Sequence, residues 1–103
     1  MANQAVFTAL ADPTRRNIFE SLRDGPKTVA ELSSKQPVSR PAVSQHLKVL
    51  QGAGLVKVEP RGTRRYYFVH REGLDELRTY LDSFWTDVLS AYSAEINLSL
   101  IHI

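Results

Sequence analysis

Apolar residues recur three and four apart through most of this chain, and only between residues 55 and 69 do they crowd into two short runs. Val6, Phe7 and Leu10 predict a helix over Ala5 to Ala11, too small to hold its shape unless packed on something larger. Asp12 followed by Pro13 marks a new helix start, an N-cap with proline at the first helical position. Ile18, Phe19 and Leu22 form its buried stripe, and Gly25 with Pro26 stops it. Thr28 and Glu31 have the spacing of a capping box, which opens a helix over Val29 to Lys35 with Val29 and Leu32 pointing inward. After a turn over Gln36 to Val38, Ser39 caps a helix whose first turn holds Pro41. Its Val43, Leu47 and Leu50 share one face, and either Gly52 or Gly54 supplies the left-handed cap. Leu55 to Glu59 and Arg64 to Val69 are rich in Val, Tyr and Phe, and the PRGT segment between them predicts a tight hairpin. From Gly73 a long helix follows, with Leu74, Leu77, Leu81, Phe84, Val88 and Ala91 in register and Trp85, Leu89, Tyr92 and Ile96 flanking them.

The predicted fold is mainly α with a small β-hairpin: four helices, two strands and a last helix. Two helices joined by a short turn, the second polar on its free face, form a helix-turn-helix, and a hairpin directly after it is a wing. With 103 residues and 43% hydrophobic content the chain supports one domain, assigned to residues 1–97. The last six residues, LSLIHI, resemble the translation of a sequencing adaptor and are expected to be a non-native tail, a genuine short apolar tail being the alternative.

Charge changes the picture more than composition does. The net charge of +2 hides a division along the chain. Residues 1–34 balance to zero, residues 35–71 hold eight bases against the single acid Glu59, and from residue 72 onward six acids face only Arg78. The basic block coincides with the polar face of the fourth helix, where Arg40, Ser44, Gln45 and Lys48 stand opposite Val43 and Leu47, with His46 at the edge. Donors and acceptors of this kind read base edges and phosphates in a major groove, and a cationic block favours a polyanion. Arg61, Arg64 and Arg65 place further charge on the wing, within reach of phosphate or a minor groove, whereas Tyr66, Tyr67 and Phe68 are expected to pack or pair across the strands. Arg15 and Arg16 sit in a first turn whose dipole disfavours cations, so each faces phosphate or an acidic neighbour, or else simply solvent.

The apolar face of the last helix is wider than one small core can cover. Self-association through Leu77, Leu81, Phe84, Trp85 and Val88, assisted by Val6, Phe7 and Leu10, would hide the surplus and set two reading helices about a two-fold axis. Cysteine is absent, which excludes disulfides, thiolate metal sites and thiol nucleophiles. No long apolar run and no leader pattern occur, so a cytoplasmic protein without membrane contact is expected. Three isolated histidines, no Gly-rich phosphate loop and no nucleophile motif speak against an enzyme.

From Val6 to Leu89 the chain resembles the arsenic-repressor (ArsR/SmtB) family of winged-helix regulators. The resemblance rests on ALADPTRRNIFESL, the TVAEL helix, SRPAVSQHLKVLQGAGLV and a wing ending in RRYYF, in that order. It implies a homodimer built from the first and last helices that binds an imperfect inverted repeat in duplex DNA and blocks transcription. By position, Ser44, Gln45 and His46 would approach bases, Arg40 and Lys48 phosphates, and the wing arginines the flanking groove. Two departures stand out. The family's thiolate metal sensor follows a Glu-Leu pair, but here Glu31 and Leu32 precede Ser33, Ser34 and Lys35. The family's other metal site needs histidine on the last helix, which carries Asp75, Asp82, Asp87 and Glu95 but none; His70 precedes the helix and His102 lies in the tail. No metal or other cofactor is therefore expected, which leaves a small molecule, a partner protein or simple abundance as the signal. The second departure is in the wing, where Gly62 is followed by Thr63 rather than arginine, leaving open which arginine enters the groove. The competing class is a winged-helix module that binds protein, and steep salt dependence of duplex binding separates the two.

Overall fold

The computed structural model describes residues 2–93. Met1, Ile96 and the LSLIHI tail lie outside the described residues. The element order is α1 (Ala2–Ala11), α2 (Pro13–Glu20), α3 (Val29–Ser34), α4 (Arg40–Gly52), β1 (Val56–Arg61), β2 (Arg64–Val69) and α5 (Arg71–Ala91). All five helices and the hairpin anticipated by pattern are present; α1 begins at Ala2 rather than Ala5, and the three starts anticipated at Asp12, Thr28 and Ser39 are capped by those side chains. Asp12 accepts a hydrogen bond from the Arg15 amide at 2.8 Å. Ser39 Oγ accepts from the Ala42 amide at 3.3 Å. Thr28 and Glu31 complete their box in both directions, 3.2 Å from the Glu31 amide to Thr28 Oγ1 and 3.0 Å from the Thr28 amide to Glu31 Oε1. The Glu31 carboxyl is held below its ordinary range, first by the Thr28 amide and then by the Thr28 hydroxyl.

The buried core holds Ile18 from α2, Leu32 from α3, Val43, Leu47 and Leu50 from α4, Leu55 just before β1, and Val56 and Tyr67 from the hairpin, with Leu74 and Leu77 of α5 packed against them. Val6 and Ala9 of α1 close it, and no polar or charged residue is buried among the described residues. Val6 is only 2% exposed, so it belongs to this chain's own core and offers no surface for self-association, contrary to the expectation above. Leu22 is buried as expected, although α2 ends at Glu20 and Leu22 sits in the turn that follows.

Arg15 and Arg16 pair with no acid among the described residues. Arg15, half-buried, donates to the Ala9 and Thr8 carbonyls at 2.6 and 3.1 Å, and Arg16, which stays exposed as the solvent alternative had it, to the Leu10 carbonyl at 2.9 Å. Two cations thus satisfy the open carbonyls at the end of α1, where the helix dipole is negative, and bolt the short α1 to α2.

The strands pair antiparallel, Val56 with Val69 through Arg61 with Arg64, around a tip of Gly62 and Thr63. β1 runs two residues beyond Glu59 because Pro60, which lacks an amide hydrogen, sits on an exposed strand edge where none is needed. Lys27 adds an isolated bridge to Tyr67, with mutual backbone bonds of 2.9 and 2.8 Å that tie the segment before α3 to the wing. Periodicity gives no signal for one paired residue.

Of the two glycines offered for the left-handed cap, Gly54 takes it, at φ 79°. Gly73 does not start α5 but lies inside its first turn, against the Gly54 backbone: a Cβ there would stand 2.0 Å from the Gly54 carbonyl oxygen. His70 caps the helix, its amide donating to Leu55 O at 2.8 Å and its Nδ1 lying 2.9 Å from Gly54 O.

Candidate nucleic-acid interface

The geometry of α4 follows from its sequence. With Val43, Leu47 and Leu50 fully buried, the 3.6-residue repeat turns Arg40, Gln45 and Lys48 to solvent and leaves Ser44 half-buried on the side of the wing. Arg40, Gln45 and Lys48 form no side-chain hydrogen bond or ion pair among the described residues. They are held on a rigid helix with their polar groups unspent.

His46 lies elsewhere. It is half-buried on the flank facing α2, with Nδ1 4.0 Å from Asp12 Oδ2. At that distance there is no hydrogen bond, and the contact sets the ring against the cap of α2.

The wing arginines divide. Arg61 is engaged within its own strand, 3.3 Å from Glu59 Oε2 and with its guanidinium 5.1 Å above the Tyr66 ring. Arg64 and Arg65 are exposed and make no hydrogen bond or ion pair among the described residues. Arg64 stands directly across the ladder from Arg61, an arrangement of like charges that costs stability in a hairpin by itself. A polyanion at the tip would offset that cost.

Arg64, Arg65 and Ser44 meet in a cleft of about 510 Å³ bounded also by Thr28, Glu31 and Tyr67. The cleft makes the reading helix and the wing one continuous surface. Thr28 and Glu31, which sequence reasoning used only as a helix cap, line it, because the cap of α3 opens toward the wing. Tyr67 is buried and Tyr66 and Phe68 are half-buried, in keeping with a packing role for the three aromatics.

The residues assigned to self-association fall into three groups. Phe7 is 42% exposed, Leu81 52%, Phe84 61% and Trp85 60%. Leu10, Leu77 and Val88 are half-buried, Leu10 and Leu77 by packing against the core. Val6 is inside. Phe7 and Tyr80 meet edge to face at 5.7 Å, which joins α1 and α5 into one apolar surface. No helix among the described residues is long and apolar enough to cross a membrane, and no three His, Cys, Asp or Glu side chains among them cluster as metal ligands do.

Comparison with known proteins agrees with this arrangement. The sequence model of the bacterial regulatory protein, arsR family, matches residues 12–58, from the cap of α2 into β1. The HTH-type transcriptional regulator Rv2034 of Mycobacterium tuberculosis (strain ATCC 25618 / H37Rv) is 57% identical over 91 residues, 88% of this chain and 85% of that protein. The transcriptional repressor SdpR of Bacillus subtilis (strain 168) is 30% identical over 79 residues, covering 77% of this chain and 88% of SdpR. Among solved structures, the homodimeric winged helix-turn-helix DNA-binding domain of Mb0332 from Mycobacterium bovis superposes with a TM-score of 0.68 at 26% identity, over 87% of this chain and 83% of that one. Its helix-turn-helix, wing and extent of likeness place the chain in the arsR family of bacterial regulatory proteins, which are regulators of transcription and not enzymes.

Proposed function

We propose that the chain is a sequence-specific DNA-binding repressor that acts as a homodimer on an inverted-repeat operator in duplex DNA, without a metal effector. The observation that carries this reading is the unspent polar stripe of α4 running through one cleft into Arg64 and Arg65. Gln45 and Ser44 meet base edges in the major groove, Arg40 and Lys48 neutralise flanking phosphates, and Arg64 and Arg65 follow the backbone or the adjacent minor groove. His46 tightens the fit of α4 against α2 and reaches bases only from the edge of the stripe. Arg61, committed to Glu59 and Tyr66, contributes field rather than contact.

Pairing of two copies through Phe7, Leu81, Phe84 and Trp85 explains why so much apolar surface stays uncovered. The homodimeric relative of known structure and the repressor among the relatives support the same assembly and outcome for this chain. Ser33, Ser34 and Lys35 in place of thiolates, and a last helix without histidine, support the absence of a metal signal.

Selection of bound duplexes from a random pool tests the reading directly. An inverted repeat with half-sites about one helical turn apart is the expected result. Recovery of no common sequence, or binding that ignores salt, would reject it.

A further inference from the structure

We propose that the cavity between the end of α2, the outer face of the wing and the first turns of α5 is a ligand site for an uncharged, aromatic-bodied small molecule, and that this molecule sets the chain's affinity for DNA. The second half rests on the repressor reading above. The first half stands on the cavity alone.

The cavity holds about 640 Å³, within the roughly 300–1,000 Å³ common for small-molecule sites. Its walls are Phe19 and Leu22 from α2 and the turn after it, Phe68 and Val69 from β2, and Leu74 from α5. Two aromatic rings among six apolar side chains, Pro26 being the sixth, favour a flat ring system over a chain of hydroxyls. Charge lies only at the mouth, and there it is already paired. Glu20 and Arg23 lie 3.5 Å apart, and Glu59 and Arg61 lie 3.3 Å apart. Both pairs are solvent-exposed and lie outside the apolar walls, so a charge carried into the space between those walls would leave water without a fixed partner, whereas an uncharged body loses nothing there. None of the exposed residues of the α4 stripe or of the Phe84 surface lines this space, so occupancy competes with neither.

Position gives the ligand its leverage. Leu74 follows Gly73, whose backbone rests on Gly54, the residue that ends the turn after α4. His70 binds the same Gly54 carbonyl from the cap of α5. A molecule that pushes on Leu74 therefore bears on a joint with no slack, one side of which carries the reading helix. Phe68 and Val69 pass the same displacement to β2 and to the arginines at its start.

The test uses N-phenyl-1-naphthylamine, an uncharged fluorescent probe, with the full chain in the absence of DNA. Saturable binding of one probe per chain is expected, with nuclear Overhauser contacts to the methyl groups of Leu22, Val69 and Leu74. The sulfonated analogue 1-anilinonaphthalene-8-sulfonate, which has the same rings and an added charge, should bind at least about tenfold more weakly. Leu74→Trp should fill the space and abolish the signal; should that variant fail to fold, the Overhauser contacts of the unaltered chain decide. Contacts to Leu81 and Val88 alone, or equal affinity for the two probes, would overturn the site. With a selected duplex present, saturating probe should shift DNA affinity by at least about fivefold, the lower end of ordinary allosteric coupling. An unchanged affinity would overturn the regulatory role while leaving the site. A chain that binds no duplex at all would instead remove the repressor reading, with the cavity contacts unaffected.

Discussion

The fourth and fifth helices are written in the same code and meet opposite fates. Each spaces apolar residues three and four apart, yet Val43, Leu47 and Leu50 are sealed completely, while Leu81, Phe84 and Trp85 are more than half exposed. The difference lies in what surrounds them. α4 is short and enclosed by α2, α3 and β1, so its stripe is covered by this chain. α5 leaves the core after Leu77, and beyond it Leu81, Phe84 and Trp85 find little cover among the described residues. Periodicity reports that a face wants burial, and only enclosure says by whom.

That contrast can be broken experimentally from either side. The largest expected effect is on the open stripe: Phe84→Asp should raise the dimer dissociation constant at least about a hundredfold, since about 1.5–3 kcal/mol of lost burial counts once in each copy. Sedimentation velocity would show a folded monomer with the helical signal retained. A dimer of wild-type affinity would mean that another surface joins the copies. Next comes the closed stripe, where Leu47→Ala should cost about 2–5 kcal/mol in urea unfolding because α4 cannot collapse into the space left behind. The two variants should separate cleanly, one losing assembly and the other stability.

A smaller effect distinguishes reading from gripping. Gln45→Ala should cost about 1–3 kcal/mol on the cognate duplex and little on random DNA, whereas Arg64→Ala should weaken both alike and lower the slope of log affinity against log salt by about one. Equal losses on both duplexes for Gln45→Ala would contradict a base contact. The smallest effect is on pH. The Glu31 carboxyl is depressed by the Thr28 amide and hydroxyl, so its contribution is present above the ordinary carboxylate range and fades as pH falls through the lowered folded value. Glu72 behaves likewise through its own amide and His70. Glu31→Gln should therefore flatten the loss of stability on acidification without changing its position relative to neutral pH, as read by denaturant titrations at several pH values.

Much of this was legible in the residues. Caps announce themselves, because Asp12, Thr28 and Ser39 each precede a stripe at the spacing the backbone amides demand. The exposed stripe of α4 follows once Val43, Leu47 and Leu50 are placed inside. What stayed hidden were relations across distant parts of the chain. That Arg15 and Arg16 reach back to α1 depends on the angle of the turn at Asp12, and that Arg61 is held by Glu59 and Tyr66 depends on strand register. The seat of His46 beside Asp12 joins positions 34 residues apart, and no local pattern encodes it. Val6 read as surface because a short apolar helix gives no clue to which of its sides the rest of the fold will occupy.

α5 runs unbroken from Arg71 to Ala91, starting on a glycine seat and ending well past the core. Such a rod counts its residues: one insertion between Leu77 and Leu81 would swing everything beyond it by about 100° and advance it about 1.5 Å. Phe84 and Trp85 would then point away from where the fold now aims them, though no side chain had changed. Chain length is thus as constrained in this segment as identity is in the interior.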